Sequence, residues 1–398
     1  MLSRCLFRRL CRGLAAGSAA GLLGWASATG AVGPLARPSD MLAWGPAQQA
    51  VGFRSLEKIF VTHTVRRGPA TSRLPVAPRQ LDVKFEYDHV AYSTSTYMQA
   101  HRLSGVLVIK DGQIILERYG LGRGPHDRWN SFSVAKSVTS SLVGAAVRDG
   151  YIKSLDDPVT RYLPEMSGSA YDQVSVRQLL TMSSGVRWTE TYGDPNSDVV
   201  RVGSAVAPPG LDPIVGYMRT LPRVAAPGAS FHYKSGEADL AGILVARATG
   251  MPLADYLSKK IWRPVGMERD AVWIVDGAGF ERGGCCLAMT LRDYGRYALF
   301  MLDGGHGMLP AGWVEAATKT QIPTGYPAIS YGYMWWINPD GSYQASGIYG
   351  QSILIVPAEH LVVVINAAWP NPGDAKLNAA RTAFIKAIQA AARSSSGG

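Results

Sequence analysis

The sequence predicts an α+β fold in which helices flank an antiparallel sheet and a helical lobe is inserted. Strand patterns lie at residues 104–119 and again from residue 271 onward, and the roughly 120 residues before the later strands are rich in helical patterns, Pro and Gly. An amphipathic pattern over residues 376–393 predicts a closing helix. This segregation of strands and helices along the chain is typical of the α+β class.

The earliest predicted strands form a hairpin. Residues 104–109 and 113–119 are strand-like, and Asp111-Gly112 between them supplies the positive-φ positions of a tight turn. Upstream, the Pro and Gly residues of segment 64–80 predict an extended stretch wrapped against the rest of the fold. The later strands are predicted at residues 271–275, 331–337, 342–345, 352–356 and 361–366.

The most informative feature of the chain is a serine and a lysine at the start of an apolar, small-residue helix. Ser133 and Lys136 are three residues apart, so they share one helix face and the lysine amine can take the serine proton. The spacing alone is weak evidence, because Ser55 and Lys58 have it by chance without such a helix. The alternative for the first pair is an N-cap serine beside a lysine that extends to solvent.

Two later segments bear on that choice. Residues 227–236 predict a tight turn and a short strand, which leave Tyr233 at the entrance of an apolar helix over residues 239–249. Residues 345–351 join two strand-like runs, and their glycines let a strand backbone approach a ligand closely.

The order Ser-x-x-Lys, Tyr-x-Ser and a Gly-containing strand edge resembles the penicillin-recognising serine hydrolases: class C β-lactamases, DD-peptidases and related carboxylesterases. Longer stretches, at residues 129–164, 176–195 and 347–351, look like 6-aminohexanoate-dimer hydrolases, which cleave linear amides. The resemblance covers most of the chain. It implies a β-lactamase/DD-peptidase-like fold and a serine hydrolase that forms an acyl-enzyme on linear amides or carboxylic esters.

The resemblance also implies a role for each matched residue. Ser133 would be the nucleophile and Lys136 its general base, and Tyr233 would relay a proton to the departing group. The backbone N–H groups of Ser133 and Ile348 would form the oxyanion hole.

Other matched residues are expected to contact the substrate: Tyr192, Ser235, Trp336, Ser346 and Gly347. Tyr192 matches a flap tyrosine of the linear-amide branch, whereas a purely structural role for Ser235 is an equal alternative. Either Trp335 or Trp336 walls the pocket, because neighbours on a strand face opposite sides.

The strand edge at residues 345–347 departs from the pattern of the relatives. Many of them carry Lys-Thr-Gly or His-x-Gly, whose cation can hold a substrate carboxylate, but this chain has Ala345-Ser346-Gly347. That difference argues against β-lactam or D-Ala-D-Ala recognition. A β-lactamase or DD-peptidase nevertheless stays an alternative, as does a non-catalytic member of the fold that binds cell-wall fragments.

Composition supports a globular enzyme. The chain has 398 residues, of which 47% are hydrophobic and 18% charged. Its formal net charge of +10 is scattered without a basic stripe or a nucleic-acid motif, so no nucleic-acid partner is expected. The chain has no Cys-x-x-Cys or His-x-x-x-His pair, so no zinc site is expected, and no cofactor is predicted. Cys285 and Cys286 are adjacent and are expected to remain unbridged fillers.

The first 28 residues predict an export signal. They combine four arginines with an apolar run over residues 14–25 and the cleavage-site-like sequence Ala26-Ser27-Ala28, and the first acidic residue is Asp40. The prediction is a protein exported to the periplasm, and a mitochondrial presequence is the alternative.

Residues 29–398 are predicted to form the hydrolase domain. It would comprise a wrapping segment (29–89), an α/β lobe (about 90–145 and 270–398) and a helical lobe (about 146–269). No other stretch approaches 20 apolar residues, so no membrane contact is expected after signal removal. The expected partner is a small-molecule amide or ester. The sequence leaves the oligomeric state open, including a homodimer.

Overall fold

The computed structural model describes residues 38–395, so the predicted export signal lies outside the described residues. In chain order the strands are β1 (Thr62–Val65), β2 (Lys84–Tyr87), β3 (Val90–Ser93), β4 (Leu103–Lys110), β5 (Gln113–Tyr119), β6 (Trp129–Asn130), β7 (Ala271–Ile274), β8 (Leu287–Met289), β9 (Ile322–Pro323), β10 (Ser330–Tyr331), β11 (Trp336–Ile337), β12 (Tyr343–Gly347), β13 (Gln351–Val356) and β14 (Leu361–Ala367).

The helices are α1 (Pro46–Gly52), α2 (Thr94–Ala100), α3 (Val134–Arg148), α4 (Val176–Leu180), α5 (Asp198–Arg201), α6 (Pro213–Met218), α7 (Ser235–Thr249), α8 (Leu253–Leu257), α9 (Arg263–Val265), α10 (Leu291–Leu302), α11 (Trp313–Ala317) and α12 (Ala375–Ser395). Several of these helices lie between residues 146 and 269, where the helical lobe is predicted. The lobe boundaries themselves stay a prediction.

The main sheet is antiparallel and has eight strands in the order β5-β4-β14-β13-β12-β11-β10-β9. The predicted hairpin forms its β5 edge, and Asp111 and Gly112 turn it with φ values of 50° and 76°. Such a turn matches the right-handed twist of the paired strands. The α+β prediction is confirmed.

Both faces of the main sheet are buried, and β14 illustrates why. Its run of β-branched residues suits a strand covered on both sides. Val362 and Val364 pack into the core that contains α3 and α10, whereas Val363 and Ile365 pack with α2 and α12. The sheet is therefore sandwiched between two helical layers.

Helix α3 lies in the centre of the first core and is buried over nearly its whole length. Small side chains allow this burial. A Cβ on Gly144, for example, would fall 2.5 Å from a ring atom of Trp313. The helix therefore holds its first residues, including Lys136, at a fixed place beside the sheet.

The predicted strand over residues 331–337 is wrong, because the run folds back on itself. Tyr331 in β10 pairs with Trp336 in β11, and the Gly332 N–H donates to the Trp335 carbonyl across the turn at 2.9 Å. Met334 in that turn has a φ of 59°. The isolated Gly332 marks the reversal.

Two other expectations need correction. The residues before Tyr233 form no strand in the described part of the chain, and α7 begins at Ser235 rather than Asp239. The strand predicted at 271–275 belongs to a second, four-stranded antiparallel sheet, in the order β1-β7-β8-β6. A sequence pattern identifies a strand but does not say which sheet it joins.

Cys285 and Cys286 form a disulfide, contrary to the expectation that they stay unbridged. Cys286 adopts a φ of 73°, a backbone conformation that residues other than glycine rarely take. The sequence did not predict this conformation. Among residues 38–395, no helix is long and apolar enough to cross a bilayer.

Candidate active site

The nucleophile candidate, Ser133, lies in a sharp turn between β6 and α3. The residue before it, Phe132, has a φ of 44°, and its N–H donates to Asn130 Oδ1 at 3.1 Å. A bulky residue with positive φ is strained, and such strain is found where a functional group must be held in place. The turn leaves Ser133 partly exposed at the helix start.

Lys136 is buried beneath Ser133, with only 2% of its surface exposed. Its Nζ lies 2.8 Å from Ser133 Oγ, 3.0 Å from Ser235 Oγ and 2.8 Å from the Gly284 carbonyl oxygen. Ser133 makes no side-chain N-cap bond within the described chain. The alternative of a capping serine beside a solvent-directed lysine is therefore wrong.

Tyr233 stands beside the same pair, two residues before the start of α7. The Lys136 Nζ lies 5.1 Å from its ring centroid, and the ring stacks on Trp336 with centroids 5.6 Å apart and planes inclined by 20°. The structure therefore brings together a hydroxyl, an amine and a phenol from segments about 100 residues apart in sequence.

Glu190 organises the polar groups around Lys136. Its Oε1 accepts hydrogen bonds from Ser235 Oγ at 2.5 Å and from Tyr192 OH at 2.6 Å. Its Oε2 accepts from the Ser235 N–H at 3.0 Å and from Trp188 Nε1. Burial and the Glu190 charge raise the pKa of Tyr192 well above its usual value, so the phenol remains a proton donor.

The backbone at Ser133 also lies against the strand edge at Gly347. A Cβ on Gly347 would fall 2.6 Å from the Ser131 carbonyl oxygen and 3.1 Å from the Ser133 nitrogen. The N–H groups in the first turn of a helix have no partner inside the helix. Ser133 and Ile348 therefore present backbone to the same region.

An aromatic cluster of Phe53, Phe132 and Tyr349 fixes that arrangement. Phe132 precedes Ser133 and Tyr349 follows Ile348, and their ring centroids are 5.1 Å apart. Phe53 packs on both, with centroids 4.9 Å from Phe132 and 5.4 Å from Tyr349. The cluster clamps together the two segments that carry the proposed oxyanion-hole N–H groups.

Ser133 and Tyr233 lie on the wall of a cleft of about 220 Å³. It is lined by Ser133, Glu190, Tyr192, Tyr233, Trp336, Ser346, Gly347, Ile348, Trp369, Pro372, Asn378 and Arg381. A larger cavity of about 630 Å³, lined in part by Gln178 and Phe231, contains none of the predicted catalytic side chains. The smaller cleft is the better candidate, because Ser133 and Tyr233 line it.

The predicted substrate-contact residues divide into two groups. Tyr192, Ser346 and Gly347 line the cleft, and so does Trp336, whereas Trp335 is fully buried and stacks on Tyr297. Ser235 is not among the lining residues. It lies between Lys136 and Glu190 with 8% of its surface exposed, in a position to support the lysine.

Glu190 and Arg381 are site residues that sequence reasoning missed. Glu190 is two residues before the matched Tyr192, and this proximity was the only signal for it. Arg381 had no signal, because its amphipathic helix predicts only packing. Within residues 38–395, no group of three or more His, Cys, Asp or Glu side chains is arranged to hold a metal ion.

Comparisons with known proteins agree with this geometry. The family model described as Beta-lactamase matches residues 93–387. The 6-aminohexanoate-dimer hydrolase of Paenarthrobacter ureafaciens is 33% identical over 349 residues, covering 80% of this chain and 85% of that protein. Esterase EstB of Burkholderia gladioli is 26% identical over 342 residues, covering 67% of this chain and 86% of that protein.

The fold has a solved counterpart in a Bacillus anthracis protein named after the 6-aminohexanoate-dimer hydrolases. Its TM-score is 0.77 at 22% identity, over 88% of this chain and 95% of that chain. Taken with the family match and the two relatives, the fold and the Ser-x-x-Lys site define the protein as a serine hydrolase. The chain belongs to the beta-lactamase family.

Proposed function

We propose that this protein hydrolyses linear amides or simple carboxylic esters through an acyl-enzyme on Ser133. The observation that carries the proposal is the 2.8 Å separation of Lys136 Nζ and Ser133 Oγ at the base of a cleft that Tyr233 also lines. A serine hydroxyl is a weak nucleophile until an adjacent base removes its proton. Lys136 is buried at hydrogen-bond distance, as such a base must be.

In the first step, the Ser133 proton moves to Lys136 Nζ while Oγ bonds to the substrate carbonyl carbon. The carbonyl oxygen becomes an oxyanion, which the N–H groups of Ser133 and Ile348 stabilise. The carbon–nitrogen or carbon–oxygen bond then breaks. The departing amine or alcohol receives a proton that passes from Lys136 by way of the Tyr233 phenol.

In the second step, water attacks the acyl-enzyme carbonyl carbon. The Tyr233 phenol takes the water proton as it passes its own to Lys136, the same oxyanion forms, and the bond to Ser133 Oγ breaks as Oγ takes a proton from Lys136. The products are a carboxylic acid and free enzyme. Each side chain thus serves in both directions, as an acid–base pair must across the two halves of the reaction.

The substrate class rests on the relatives and on strand β12. The relatives are named as a hydrolase of 6-aminohexanoate dimers and as an esterase. Ala345-Ser346-Gly347 places no cation on β12, the strand where a β-lactam carboxylate would otherwise be held. Linear amides and simple esters therefore rank above β-lactams and cell-wall peptides.

Mass spectrometry of the intact protein after a fluorophosphonate probe tests the nucleophile. We expect one label on wild type, none on Ser133→Ala and one on Ser55→Ala, which removes the serine of the chance Ser-x-x-Lys pair. An unlabelled wild type, or equal labelling of Ser133→Ala, would favour a binding protein without catalysis.

Steady-state turnover of p-nitrophenyl butyrate and of a chromogenic cephalosporin tests the substrate class. The ester should be the better substrate by kcat/KM. A strong preference for the cephalosporin would instead identify a β-lactamase and overturn the proposed substrate class.

Lys136→Ala should lower kcat by about 10²-fold or more with a smaller change in KM, because it removes proton transfer rather than a substrate contact. Lys58→Ala is the matched control, since Lys58 is exposed and belongs to the chance pair. Ester kinetics of the two variants give the comparison. A Lys136→Ala variant with the wild-type kcat would contradict its role as base.

We also propose export to the periplasm. The support is the arginine-rich, apolar leader with its Ala26-Ser27-Ala28 sequence. Amino-terminal sequencing of the mature protein from fractionated cells tests it, and a periplasmic form that begins near residue 29 is the expected result. Recovery of the uncleaved chain in the cytoplasm would refute export.

A further inference from the structure

The Cys285–Cys286 disulfide lies next to the backbone that contacts the proposed general base. The residue before it, Gly284, accepts a hydrogen bond from Lys136 Nζ at its carbonyl oxygen, at 2.8 Å. The residue after it, Leu287, donates its N–H to Ser131 Oγ at 3.1 Å and accepts the Ser131 N–H at its carbonyl at 3.0 Å. The disulfide therefore lies between two backbone contacts with the segment that begins α3.

The Gly284 carbonyl helps to orient the lone pair of the Lys136 amine. An uncharged amine has two N–H groups and one lone pair, and Nζ has three hydrogen-bond partners in the described part of the chain. The Gly284 oxygen can only accept, and Ser235 Oγ also accepts because its own proton goes to Glu190. These two acceptors take up both N–H groups. The lone pair is left for the Ser133 hydroxyl, as proton transfer requires.

The direction of the Gly284 carbonyl depends on how Cys285 is held. Asp239 Oδ1 accepts from the Gly284 N–H at 2.8 Å, and Thr139 Oγ1 donates to the Gly283 carbonyl at 2.7 Å. Both bonds hold the peptide unit that precedes the Gly284 Cα. The Gly284 carbonyl belongs to the next unit, which ends at the Cys285 nitrogen, and glycine has no Cβ to restrict rotation between the two units.

The disulfide restricts the backbone of both cysteines. A bond between neighbouring cysteines closes a ring that contains the peptide joining them. Inside this ring Cys286 keeps its φ of 73°, a conformation that residues other than glycine rarely take. Once the bond is broken, hydrogen bonds such as that from the Cys285 N–H to the Arg282 carbonyl, at 3.1 Å, are left to hold the loop. Cys286 can then leave the positive-φ region and turn the neighbouring peptide units with it.

We propose that the Cys285–Cys286 disulfide is a redox switch on catalysis. The oxidised form holds the Gly284 carbonyl against Lys136, and reduction to two thiols by a dithiol releases the carbonyl and slows proton transfer from Ser133. This inference rests on the proposed hydrolase function and adds a means of regulating the same site. The oxidising periplasm, to which export is proposed, favours the disulfide.

The reduction is a thiol–disulfide exchange that begins at Cys285, which is partly exposed, whereas Cys286 exposes 2% of its surface. A thiolate of the dithiol attacks Cys285 Sγ, the bond between the two cysteines breaks, and Cys286 leaves as a thiolate that takes a proton. The second thiolate of the reductant then attacks the reductant's sulfur in the mixed disulfide, and Cys285 leaves and takes a proton. The protein gains two electrons and two protons, and the dithiol becomes a disulfide.

Turnover of p-nitrophenyl butyrate by oxidised and reduced wild type tests the proposal. The protein is reduced with dithiothreitol, separated from it by anaerobic gel filtration and assayed, and a second portion is reoxidised with glutathione disulfide before the assay. We expect reduction to lower kcat about tenfold with a smaller change in KM, and reoxidation to restore it. The rate of fluorophosphonate labelling of Ser133 should fall and recover in parallel, because it depends on the same base.

Two variants and a peptide map assign the effect to this pair. The tryptic peptide of residues 283–292 contains Cys285 and Cys286 and no other cysteine, so its alkylation records their redox state. Cys285→Ser/Cys286→Ser cannot form the bond and should have the kcat of reduced wild type, with or without dithiothreitol. Cys5→Ser/Cys11→Ser is the control in the full-length chain, and it should respond to reduction as wild type does.

The outcomes separate this inference from the proposed function. An unchanged kcat after alkylation shows both thiols, or a wild-type kcat in Cys285→Ser/Cys286→Ser, would overturn the switch and leave the hydrolase intact. A pair that stays open to alkylation after oxidation would overturn it as well. Activity lost together with the thermal melting transition would assign the disulfide to stability and refute the switch. Absence of turnover and of labelling in both redox states would overturn the hydrolase and the switch with it.

Discussion

The residue that links the site together is Glu190, because it fixes which way the hydroxyl of Ser235 points. Ser235 donates its proton to Glu190 Oε1 and therefore presents its lone pairs to Lys136 Nζ, 3.0 Å away. Glu190 also holds the Tyr192 phenol on the cleft wall. Through these contacts, a carboxylate away from the reacting atoms positions both the base and a predicted substrate contact.

Glu190→Gln should lower kcat by about 10- to 100-fold, because a charged acceptor of this kind contributes about 1.5–3 kcal/mol and an amide cannot accept at both atoms. KM should change much less. Ester kinetics and the rate of fluorophosphonate labelling of Ser133 measure the effect. Asp340→Asn, an exposed carboxylate that bonds Ser342, is the control. A wild-type labelling rate in Glu190→Gln would exclude this positioning role.

At the scale of single residues, the sequence predicted the site residues that belong to a recognised motif. Ser133, Lys136 and Tyr233 stand in fixed patterns, and the structure places them together. Glu190 and Arg381 belong to no such pattern. Their significance comes from contacts across the fold, and those contacts depend on how the loop at residue 190 and helix α12 pack.

Among the elements, β12 brings its last residue, Gly347, close to the turn that carries Ser133. Gly347→Ala should lower kcat by about 10²-fold, because the new Cβ would meet the backbone at Ser131 and Ser133 and separate the two oxyanion-hole segments. The Gly347 φ of −127° suits alanine, so the effect arises from space alone. Kinetics on p-nitrophenyl butyrate measure it.

Gly277→Ala is the control for that substitution, since a Cβ there meets nothing within 4 Å. It should keep the wild-type kcat. Equal kcat values in the two variants would show that the close approach of β12 has no catalytic consequence.

Strand β5 and helix α10 are joined by a pH-sensitive ion pair. Glu117 accepts two hydrogen bonds from Arg292, at 2.9 and 2.8 Å, and one from the Tyr119 phenol at 2.6 Å. Burial alone would raise the pKa of Glu117, but the bonds from Arg292 and Tyr119 hold it below its usual range. A depressed pKa adds stability above the unfolded-state pKa and loses it as the pH falls through the folded-state value.

Glu117→Gln should therefore reduce the free energy of unfolding by about 1–2 kcal/mol at pH 7, with the difference from wild type closing towards pH 3. Urea unfolding at several pH values measures it. Asp82→Asn, which removes an exposed ion pair with Lys84, should have little effect at any pH. A Glu117→Gln deficit that persists at pH 3 would contradict the electrostatic explanation.

Element prediction succeeded where the signal is local. Asp111-Gly112 encodes its own turn, and the β-branched run of β14 encodes a buried strand. It failed at residues 331–337, where an alternating pattern conceals a reversal at Gly332. A Cβ there would fall 2.0 Å from the Ala317 carbonyl oxygen, a constraint that comes from a neighbouring helix rather than from the run itself.

For the molecule as a whole, the N-terminal segment is part of the catalytic architecture. Trp44, Phe53 and Leu56 precede the family match, which begins at residue 93, yet they share a core with Phe132 and Tyr349. The Tyr349 phenol also donates to the Leu42 carbonyl at 2.7 Å. The sequence predicted a wrapping segment here, but not that it supports the proposed oxyanion hole, because aromatic contacts between distant segments leave no local pattern.

Phe53→Ala should therefore affect stability and catalysis together. Loss of a buried ring costs about 3–5 kcal/mol, and release of Phe132 and Tyr349 should misalign the N–H groups of Ser133 and Ile348 and lower kcat at least about tenfold. Leu56→Ala is the matched control: its side chain is fully buried in the same core, and its loss should cost about 2–5 kcal/mol while kcat stays within about twofold. Melting temperatures of the two variants measure the loss of stability. Ester kinetics at a temperature well below both melting temperatures then measure the effect on catalysis. If kcat proved equal in the two folded variants, the segment would stabilise the fold without positioning the oxyanion hole.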